Sequence, residues 1–389
     1  MTKARNLSLL STVEVGATAD QTKSDIDALG IAADIAAGDT AARAGRKNLI
    51  INGGMQVSQR GAYTITTTGG PEYGGPDRFH MWSYASSEQV TAEISKSTVG
   101  GTPTGFANTC RIDVITAESS VAANESLVFA QYIEAQDCQH LEYGTSDAKS
   151  VTMSFWIKTS VTGTYCFFLQ NSDGDRIQVK EYTVNSADTW EKKVITILGD
   201  ASGTINNDNG RGLWCGWVLM AGTDRHGSKD AWRTTGADFA TSSQVNAVDN
   251  GANNIYITGV QLEVGSVATD FEHRSYGEEL ALCQRYYQKY GGATDWTVGT
   301  SANYNGSNNY LGLSFINEMR AAPTGSWTNA TGWTVLSAGS AVSTTVVFME
   351  GVTTNRAEIY FTTASAMTQG NASWVRGSSS MFIYLDAEL

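Results

Sequence analysis

The sequence predicts a mainly β protein with a central jelly-roll-like β-sandwich. Short segments alternate apolar and polar residues with the period of a strand; the first clear example has Val151, Met153, Phe155 and Ile157 on one face. Several such segments follow one another, separated by turn clusters such as NSDGD and NNDNGRG. The charged fraction is only 17% and the chain has 40 glycines, a composition that suits strands and tight turns.

Residues 1–46 differ from the rest of the chain. They contain no Trp, Tyr or Phe and are rich in Ala, Asp and Thr. A segment of this kind cannot bury a core by itself, so it needs another chain or a docking surface. We predict an attachment leader over 1–46; a mobile tail is the alternative.

The remaining chain divides into three predicted regions. A length of 389 residues exceeds what one ordinary core accommodates, so two or three domains are expected. The strand-like segments of 47–275 predict the sandwich, and those of 291–389, including NYLGLSFI and RAEIYFTT, predict a small C-terminal β domain. The predicted helix at 276–290 couples the two.

The helix prediction comes from the segment SYGEELALCQRYYQKY. Ser275 and Glu278 have the spacing of a capping box, and two acids fall in the first turn. The apolar side chains at helical spacing are Leu280, Cys283, Tyr287 and Tyr290. This face either lies across a sheet of its own chain or meets two further copies around an axis, and we predict it as an oligomer interface.

Composition excludes several classes of function. A formal net charge of −13 argues against binding nucleic acid or anionic lipid, which requires clustered cations. No stretch approaches the roughly 18 apolar residues of a membrane span, and the N-terminus lacks the apolar core of a signal peptide. The irregular spacing predicts buried thiols and a reducing folding compartment for Cys110, Cys138, Cys166, Cys215 and Cys283.

Neither a metal site nor a cofactor is predicted. The histidines are not in a metal-ligand spacing; they are His80, His140, His226 and His273. The segment NSDGDRI resembles the start of a calcium loop, but its glycine is at the fourth position and no glutamate follows at the twelfth. A hairpin turn through Asp173–Gly174 explains it better.

No catalytic residue is predicted, although hydrolysis of a glycan stays an alternative. That reaction requires two placed carboxylates. Candidates exist in this acidic chain, among them Glu72, Asp77, Asp224 and Asp230, but nothing in the sequence distinguishes one pair. Neither a nucleophile elbow nor a phosphate loop is present.

Aromatic residues among Asn, Ser and Gly predict glycan binding. Aromatic faces stack on sugar rings and amide side chains bond hydroxyl groups. The segment NYNGSNNYLG supplies Tyr304, Asn305, Asn308 and Tyr310. The long segment DRHGSKDAWRTTG of the central region supplies Trp232 and Arg233. The alternative is that these rings form a domain core.

Four sequence blocks resemble a family of bacteriophage tail-fibre and virion structural proteins. They are RKNLIINGGMQVSQRG at 46–61, GPDRFHMW at 75–82, ITGVQLEVGSVATDFEHRSYGEELALCQRYYQKY at 257–290 and FINEMRAAPT at 315–324. The block at 257–290 is the longest and most specific. The first residues of the chain also resemble the leaders by which such fibres attach to a virion.

The resemblance implies a non-enzymatic, trimeric virion appendage with a lectin-like sandwich and a distal tip domain. It would be made in the host cytoplasm, attach to a phage tail or head protein through residues 1–46, and bind a host-surface glycan. Alternatives are a capsid or neck decoration protein and a glycan-depolymerising spike. Related folds host unrelated functions, so the site must support the assignment.

Overall fold

Alternating side chains build two facing antiparallel sheets in the central region. The computed structural model describes residues 47–66, 69–84, 91–98, 101–234, 236, 238–292 and 296–389. Asn48–Leu389 form one compact unit. The predicted leader at 1–46 lies outside the described residues.

The sandwich is built from thirteen strands of the described chain. They are β1 Tyr63–Thr66, β2 Gly70–Tyr73, β3 Phe79–Tyr84, β4 Thr91–Ser97, β5 Thr109–Thr116, β6 Ser126–Glu134, β7 Val151–Thr159, β8 Gly163–Asn171, β9 Arg176–Val184, β10 Glu191–Ile197, β11 Arg211–Ala221, β12 Arg233–Thr234 and β13 Asn254–Val264. One sheet has the order β1-β4-β5-β13-β7-β10, and the facing sheet has the order β12-β9-β8-β11-β6-β3-β2. Short 3₁₀ turns lie at Ala135–Leu141 and Thr223–Arg225. The predicted mainly β sandwich is confirmed.

The core lies between the two sheets and is rich in aromatic rings. Trp217 is fully buried at its centre, with ring centroids 5.1 Å from Phe167, 5.6 Å from Phe155 and 5.7 Å from Phe129. The predicted inward face of β7, which includes Phe155, is confirmed because all four of its apolar side chains are buried in this core. The hairpin through Asp173–Gly174 is also confirmed, since it joins β8 to β9.

The two outer faces of the sandwich differ. The seven-stranded sheet is covered on its outside by the chain after β11, where Phe239 lies 5.5 Å from Phe168 between ring centroids. Every residue of β6 is therefore buried. On the six-stranded sheet, Val194 of β10 is 52% exposed. Part of this second outer face is therefore open to solvent.

A buried hydrogen-bond cluster joins three of the sequence blocks. The Asn52 side chain donates to the carbonyl oxygens of Val57 at 2.9 Å and Asp77 at 3.0 Å, and accepts from Val57 N at 3.0 Å. Its backbone N–H donates to the Glu279 carboxylate. The φ of Asn52 is +61°, a left-handed value that asparagine tolerates. Asn52, Asp77 and Glu279 are far apart in the sequence and meet in this cluster, which we call the Asn52 node.

The predicted helix is correct at its start and wrong in its length. Helix α1 covers Tyr276–Gln284 and has the capping box between Ser275 and Glu278. The next residues form strand β14, Tyr287–Gly291, which pairs with the strand Phe382–Asp386. Hydrogen bonding to this distant strand outweighs the local helical pattern, because the alternation in YYQKY also suits a strand.

The C-terminal β region begins at Tyr287 rather than at Gly291. Its further strands are β15 Trp296–Asn303, β16 Asn308–Ser314, β17 Thr324–Trp327, β18 Thr334–Ser337, β19 Ser340–Glu350, β20 Arg356–Thr363, β21 Ala372–Gly377 and β22 Phe382–Asp386. Strands β14-β22-β17 form one sheet, and β15-β16-β20-β19-β18-β21 form a closed barrel. Trp333, Phe361 and Ile383 lie in a core that both share.

The four side chains of the predicted oligomer face do not form one exposed face. Cys283 and Tyr287 are buried within the chain, and Leu280 is half-buried. The Arg60 guanidinium lies 3.6 Å from the Tyr287 ring centroid. The Tyr290 hydroxyl donates to Gln288 at 2.6 Å. Because the helix ends at Gln284, its apolar side is used mainly inside its own chain.

Buried ion pairs attach the end of the C-terminal sheet to the sandwich. Glu388 pairs with Arg78 and, at 3.1 Å, with Arg60, which also pairs with Asp386 at 2.9 Å. Arg78 donates to Tyr132 O and lies over the Tyr286 ring. Burial raises the pKa of Glu388, although the two guanidinium groups act in the opposite direction. This cluster links the two β regions.

The cysteine prediction is confirmed in its structural part. All five thiols are free and buried. Burial raises the pKa of Cys110 and Cys215, so they are poor nucleophiles. In the described part of the chain, no helix is long and apolar enough to cross a membrane.

The Glu134–Arg285 ion pair is expected to make the stability of this fold depend on pH in the acidic range. Both guanidinium contacts to the buried carboxylate are short, 2.7 and 2.8 Å. Burial alone would raise the pKa of Glu134, but hydrogen bonds from Arg285 and Tyr286 lower it below its usual value. A lowered carboxyl pKa contributes stability above the unfolded-state pKa of about 4.3, and this contribution is lost as pH falls through the folded-state pKa.

Arg285→Leu is therefore expected to lower the free energy of unfolding by about 1.5–3 kcal/mol at neutral pH. The difference from wild type should shrink as the pH falls below the unfolded-state pKa of about 4.3, because the contribution of Glu134 is lost as the pH approaches its lowered folded-state pKa. Urea unfolding at a series of pH values measures this, with the exposed Arg356→Leu as a control. A difference independent of pH would contradict the prediction.

Candidate functional site

An aromatic row crosses the outside of the barrel on three neighbouring strands. Tyr310 of β16 is directly opposite Tyr360 of β20, which is directly opposite Phe348 of β19. The Tyr310 and Tyr360 ring centroids are 5.0 Å apart, edge to face. Phe348 is 54% exposed, a high value for a large apolar side chain. With strand spacings near 5 Å, the three residues span about 10 Å.

Tyr304 extends the aromatic row at the β15–β16 hairpin. Its ring centroid lies 5.4 Å from that of Tyr310, and 64% of the residue is exposed. Its backbone N–H donates to Asn308 O at 2.7 Å, which closes the hairpin. The Asn305 side chain accepts from Asn308 N at 3.2 Å, so Asn305 shapes the turn that presents Tyr304. We define the aromatic row as Tyr304, Tyr310, Tyr360 and Phe348.

Polar side chains border the aromatic row on both sides. The strand register places Asn308 and Thr362 next to each other on one side. On the other side, Gly312 is opposite Glu358, which is opposite Glu350. A side chain at Gly312 would meet no atom within 4 Å, so the glycine leaves open space beside Tyr310. The surface is thus an aromatic strip between an amide-hydroxyl border and an acidic border.

The Tyr310 hydroxyl is protonated at neutral pH, as any tyrosine with a pKa of about 10 or above is. Desolvation and the nearby charge of Glu350 raise the pKa of Tyr310 above its usual value. A neutral phenol both donates and accepts a hydrogen bond. It can therefore bond to a hydroxyl group of a ligand in either direction.

The structure separates the six predicted glycan-binding residues into two groups. Tyr304, Asn305, Asn308 and Tyr310 come together at the barrel hairpin, as described above. Trp232 and Arg233 lie on the sandwich. The Trp232 indole N–H donates to Leu198 O at 2.6 Å, and Arg233 pairs with Asp238 at 2.7 Å. The polar groups of this second pair are thus occupied within the chain.

Sequence reasoning missed Tyr360 and Phe348. The segments RAEIYFTT and STTVVFMEG were predicted as strands, and their alternation places every second side chain outside. An aromatic residue at an outward position of each strand is the signal that was available. Their alignment with Tyr310 depends on strand register, which the sequence does not show.

Two of the carboxylates considered for hydrolysis, Asp77 and Asp230, have hydrogen-bond or ion-pair partners within the chain. Asp77 is buried and accepts from Gln59 N at 2.8 Å and the Gln59 side chain at 2.6 Å. Asp230 pairs with Lys180 at 3.0 Å. Within the part of the chain that the structure describes, no group of three or more His, Cys, Asp or Glu side chains could hold a metal ion.

Comparisons with known proteins yield only distant structural likenesses. No protein-family model and no curated protein match the chain. A putative sugar-binding protein from Bacteroides thetaiotaomicron is 11% identical, with 56% of this chain and 100% of that chain covered and a TM-score of 0.33. A family 11 carbohydrate-binding module from Clostridium thermocellum, in complex with a mixed-linked tetrasaccharide, is 13% identical, with 56% and 100% covered and a TM-score of 0.26.

A phage protein also has a similar region. The enzymatically active domain of tailspike protein 4 of bacteriophage CBA120 is 12% identical, with a TM-score of 0.28. The likeness covers 56% of this chain and 21% of the tailspike domain. Each of these likenesses covers 56% of this chain.

Proposed function

We propose that this protein is a non-enzymatic virion appendage, a phage tail fibre or related structure, that binds a host-surface glycan through the aromatic row. The observation that carries the glycan part is the alignment of Tyr310, Tyr360 and Phe348 on adjacent strands. Tyr310 and Tyr360 are half-buried and Phe348 is exposed, and large rings rarely line up on the surface of a soluble protein unless the strip binds something. The virion part is supported by the sequence blocks that resemble tail-fibre proteins.

The chemistry of the strip suits a saccharide chain. The apolar faces of sugar rings stack on aromatic rings, and their hydroxyl groups need nearby donors and acceptors. Tyr310, Asn308 and Thr362 supply these groups beside the rings. A strip about 10 Å long accommodates more than one ring of a polysaccharide.

Attachment and assembly complete the proposal. Residues 1–46 would bind a tail or head protein of the virion, and the chain would form a homotrimer. Light scattering behind a sizing column tests the trimer: a mass of three chains supports it. A stable single chain would favour a decoration protein, or a fibre that assembles only on the virion.

Tyr360→Ala is expected to weaken glycan binding by roughly 10- to 100-fold, because it removes the central ring of the aromatic row. The measurement is binding of the purified chain to an array of bacterial O-polysaccharides and capsular polysaccharides. Tyr276→Ala, which removes a tyrosine that is 56% exposed on α1, is the matched control. If Tyr360→Ala and Tyr276→Ala bind alike, the aromatic row is not the binding surface.

One observation keeps hydrolysis as a second candidate. Glu350 and Glu358 are directly opposite each other beside the aromatic row, and a pair of carboxylates is what glycoside hydrolysis requires. Reducing-sugar release from a bound polysaccharide, abolished by Glu358→Gln, would support an enzyme. Binding without release would support attachment only.

A further inference from the structure

We infer a second saccharide-binding site, on the open outer face of the six-stranded sheet of the sandwich. A groove of about 260 Å³ lies there, lined by Phe106, Trp156, Lys192, Asp270, Phe271 and His273 among others. This inference rests on the proposed glycan function but concerns a different surface. It would bind a single neutral pyranose unit of a polysaccharide.

The base of the groove is shaped by a glycine in a strand irregularity. The register between β13 and β7 shifts between Thr258 and Gln261, and Gly259 there has a φ of +61°. A Cβ on Gly259 would lie 2.6 Å from Phe106 Cζ and 3.1 Å from Trp156 Cδ1. Glycine therefore permits both rings to lie directly against the backbone.

The aromatic wall is held in place before any ligand binds. The Phe106 and Phe271 ring centroids are 5.0 Å apart, and His273 lies 4.9 Å from Phe271. The segment after Phe106 is held against β13, because Thr258 Oγ1 donates to Asn108 O at 2.7 Å. Pre-formed aromatic walls of this kind cost little conformational entropy on binding.

The segment that carries Phe271 and His273 is anchored on both sides. Glu272 N donates to Gln261 Oε1 at 2.8 Å, and the Glu272 carboxylate accepts from Asn48 N at 2.8 Å. The groove is thus supported by β13, by the segment around Glu272 and by the segment around Asn48. Such support fixes the distances between its aromatic and charged groups.

The charged groups on the rim select the class of ligand. Lys192 of β10 is directly opposite Trp156 of β7 and is exposed, and Asp270 lines the same groove. An ammonium group and a carboxylate beside aromatic rings match hydroxyl groups that both accept and donate. The two rim groups have opposite charges, so neither an anionic nor a cationic ligand is favoured by both, and a purely apolar ligand would leave their hydrogen-bonding capacity unused.

The volume of the groove agrees with one sugar unit. About 260 Å³ corresponds to roughly nine water molecules in the liquid. With the aromatic row on the barrel, one chain would have two separate contacts for a polysaccharide. Two weak contacts on one chain raise the overall avidity without any new interaction.

Saturation-transfer difference NMR on the full chain tests this site. The probes are the free monosaccharides glucose, galactose, mannose, rhamnose and N-acetylglucosamine. We expect transfer to the ring protons of at least one pyranose that persists in Tyr360→Ala, is lost when Trp156→Ala is added to Tyr360→Ala, and is reduced several-fold when Lys192→Ala is added instead. The matched control is Trp374→Ala, which removes a tryptophan that is 53% exposed on the barrel. Lys192 is exposed, so its variant reports binding even where Trp156→Ala affects folding.

Three results would overturn the inference: no transfer from any of these sugars to wild type, equal transfer when Trp156→Ala is added to Tyr360→Ala, or transfer lost only in Tyr360→Ala. A change in solution mass on replacing Trp156, without sugar transfer, would instead assign the groove to a contact between copies. The polysaccharide array distinguishes the two proposals. Array binding that survives Trp156→Ala but not Tyr360→Ala leaves the proposed function standing while the NMR result decides the groove.

Discussion

Glu388→Ala is expected to lower the free energy of unfolding by about 3–5 kcal/mol. The substitution leaves Arg78, whose side chain is only 1% exposed, without its carboxylate partner. Arg60, 11% exposed, loses one of its two partners at the same time. An uncompensated buried charge is more costly than the pair was favourable, so the effect exceeds the value of an ordinary salt bridge.

Chemical unfolding followed by tryptophan fluorescence measures this effect. Asp386→Asn is the matched control, because Asp386 is 45% exposed and pairs with the same Arg60; we expect a loss of about 1 kcal/mol or less. Glu388→Gln should lie between the two, since it keeps an acceptor but not the charge. A loss below 1 kcal/mol in Glu388→Ala would show that water reaches Arg78 and that the cluster does not hold the two β regions together.

Asn52→Leu is expected to lower the free energy of unfolding by about 4 kcal/mol or more. It leaves three buried backbone groups without their partner, each worth about 1–3 kcal/mol. It also forces a side chain without hydrogen-bonding atoms into the left-handed region, at roughly 1–2 kcal/mol. The cluster that joins the segment before β3 to α1 and the start of the sandwich would thereby lose its central side chain.

Asn52→Gly separates the two causes. Glycine adopts the positive φ without strain, so this variant should be less destabilised than Asn52→Leu by about 1–2 kcal/mol while still lacking the side-chain hydrogen bonds. Thermal and urea unfolding of both variants provide the comparison. Equal stability of wild type and Asn52→Gly would mean that the side-chain bonds of Asn52 contribute nothing net.

The Asn52 node also explains why distant sequence blocks belong together physically. Asn52, Asp77 and Glu279 come from the sequence blocks at 46–61, 75–82 and 257–290, and they meet in one buried cluster. Arg274 adds to it by donating to Ile50 O at 3.2 Å. The sequence shows the blocks but not their contact, since hydrogen bonds across more than 200 residues depend on the complete fold.

Local signals predicted what depends on neighbouring residues. The inward face of β7, the β8–β9 hairpin, the capping box at Ser275 and the buried thiols all follow from residue types within a few positions of each other. The length of α1 did not, because Tyr287 and Tyr290 suit both a helix face and a strand. Pairing of β14 with β22, almost 100 residues later, decided between them.

The candidate site likewise contains residues that local sequence signals predicted and residues that only long-range strand pairing brings together. Tyr304, Asn305, Asn308 and Tyr310 were found because they share one hairpin, whereas Tyr360 and Phe348 were missed because they join the hairpin only through strand register. The groove at Trp156 requires a strand irregularity at Gly259 that no local sequence pattern predicts. By itself the sequence determined a mainly β chain, its turns, the capped start of α1 and its buried cysteines, since local propensity and alternation are sufficient for these. Only the tertiary structure decided the barrel, the aromatic row, the groove and the buried ion pairs, because each depends on strands paired across long stretches of the chain.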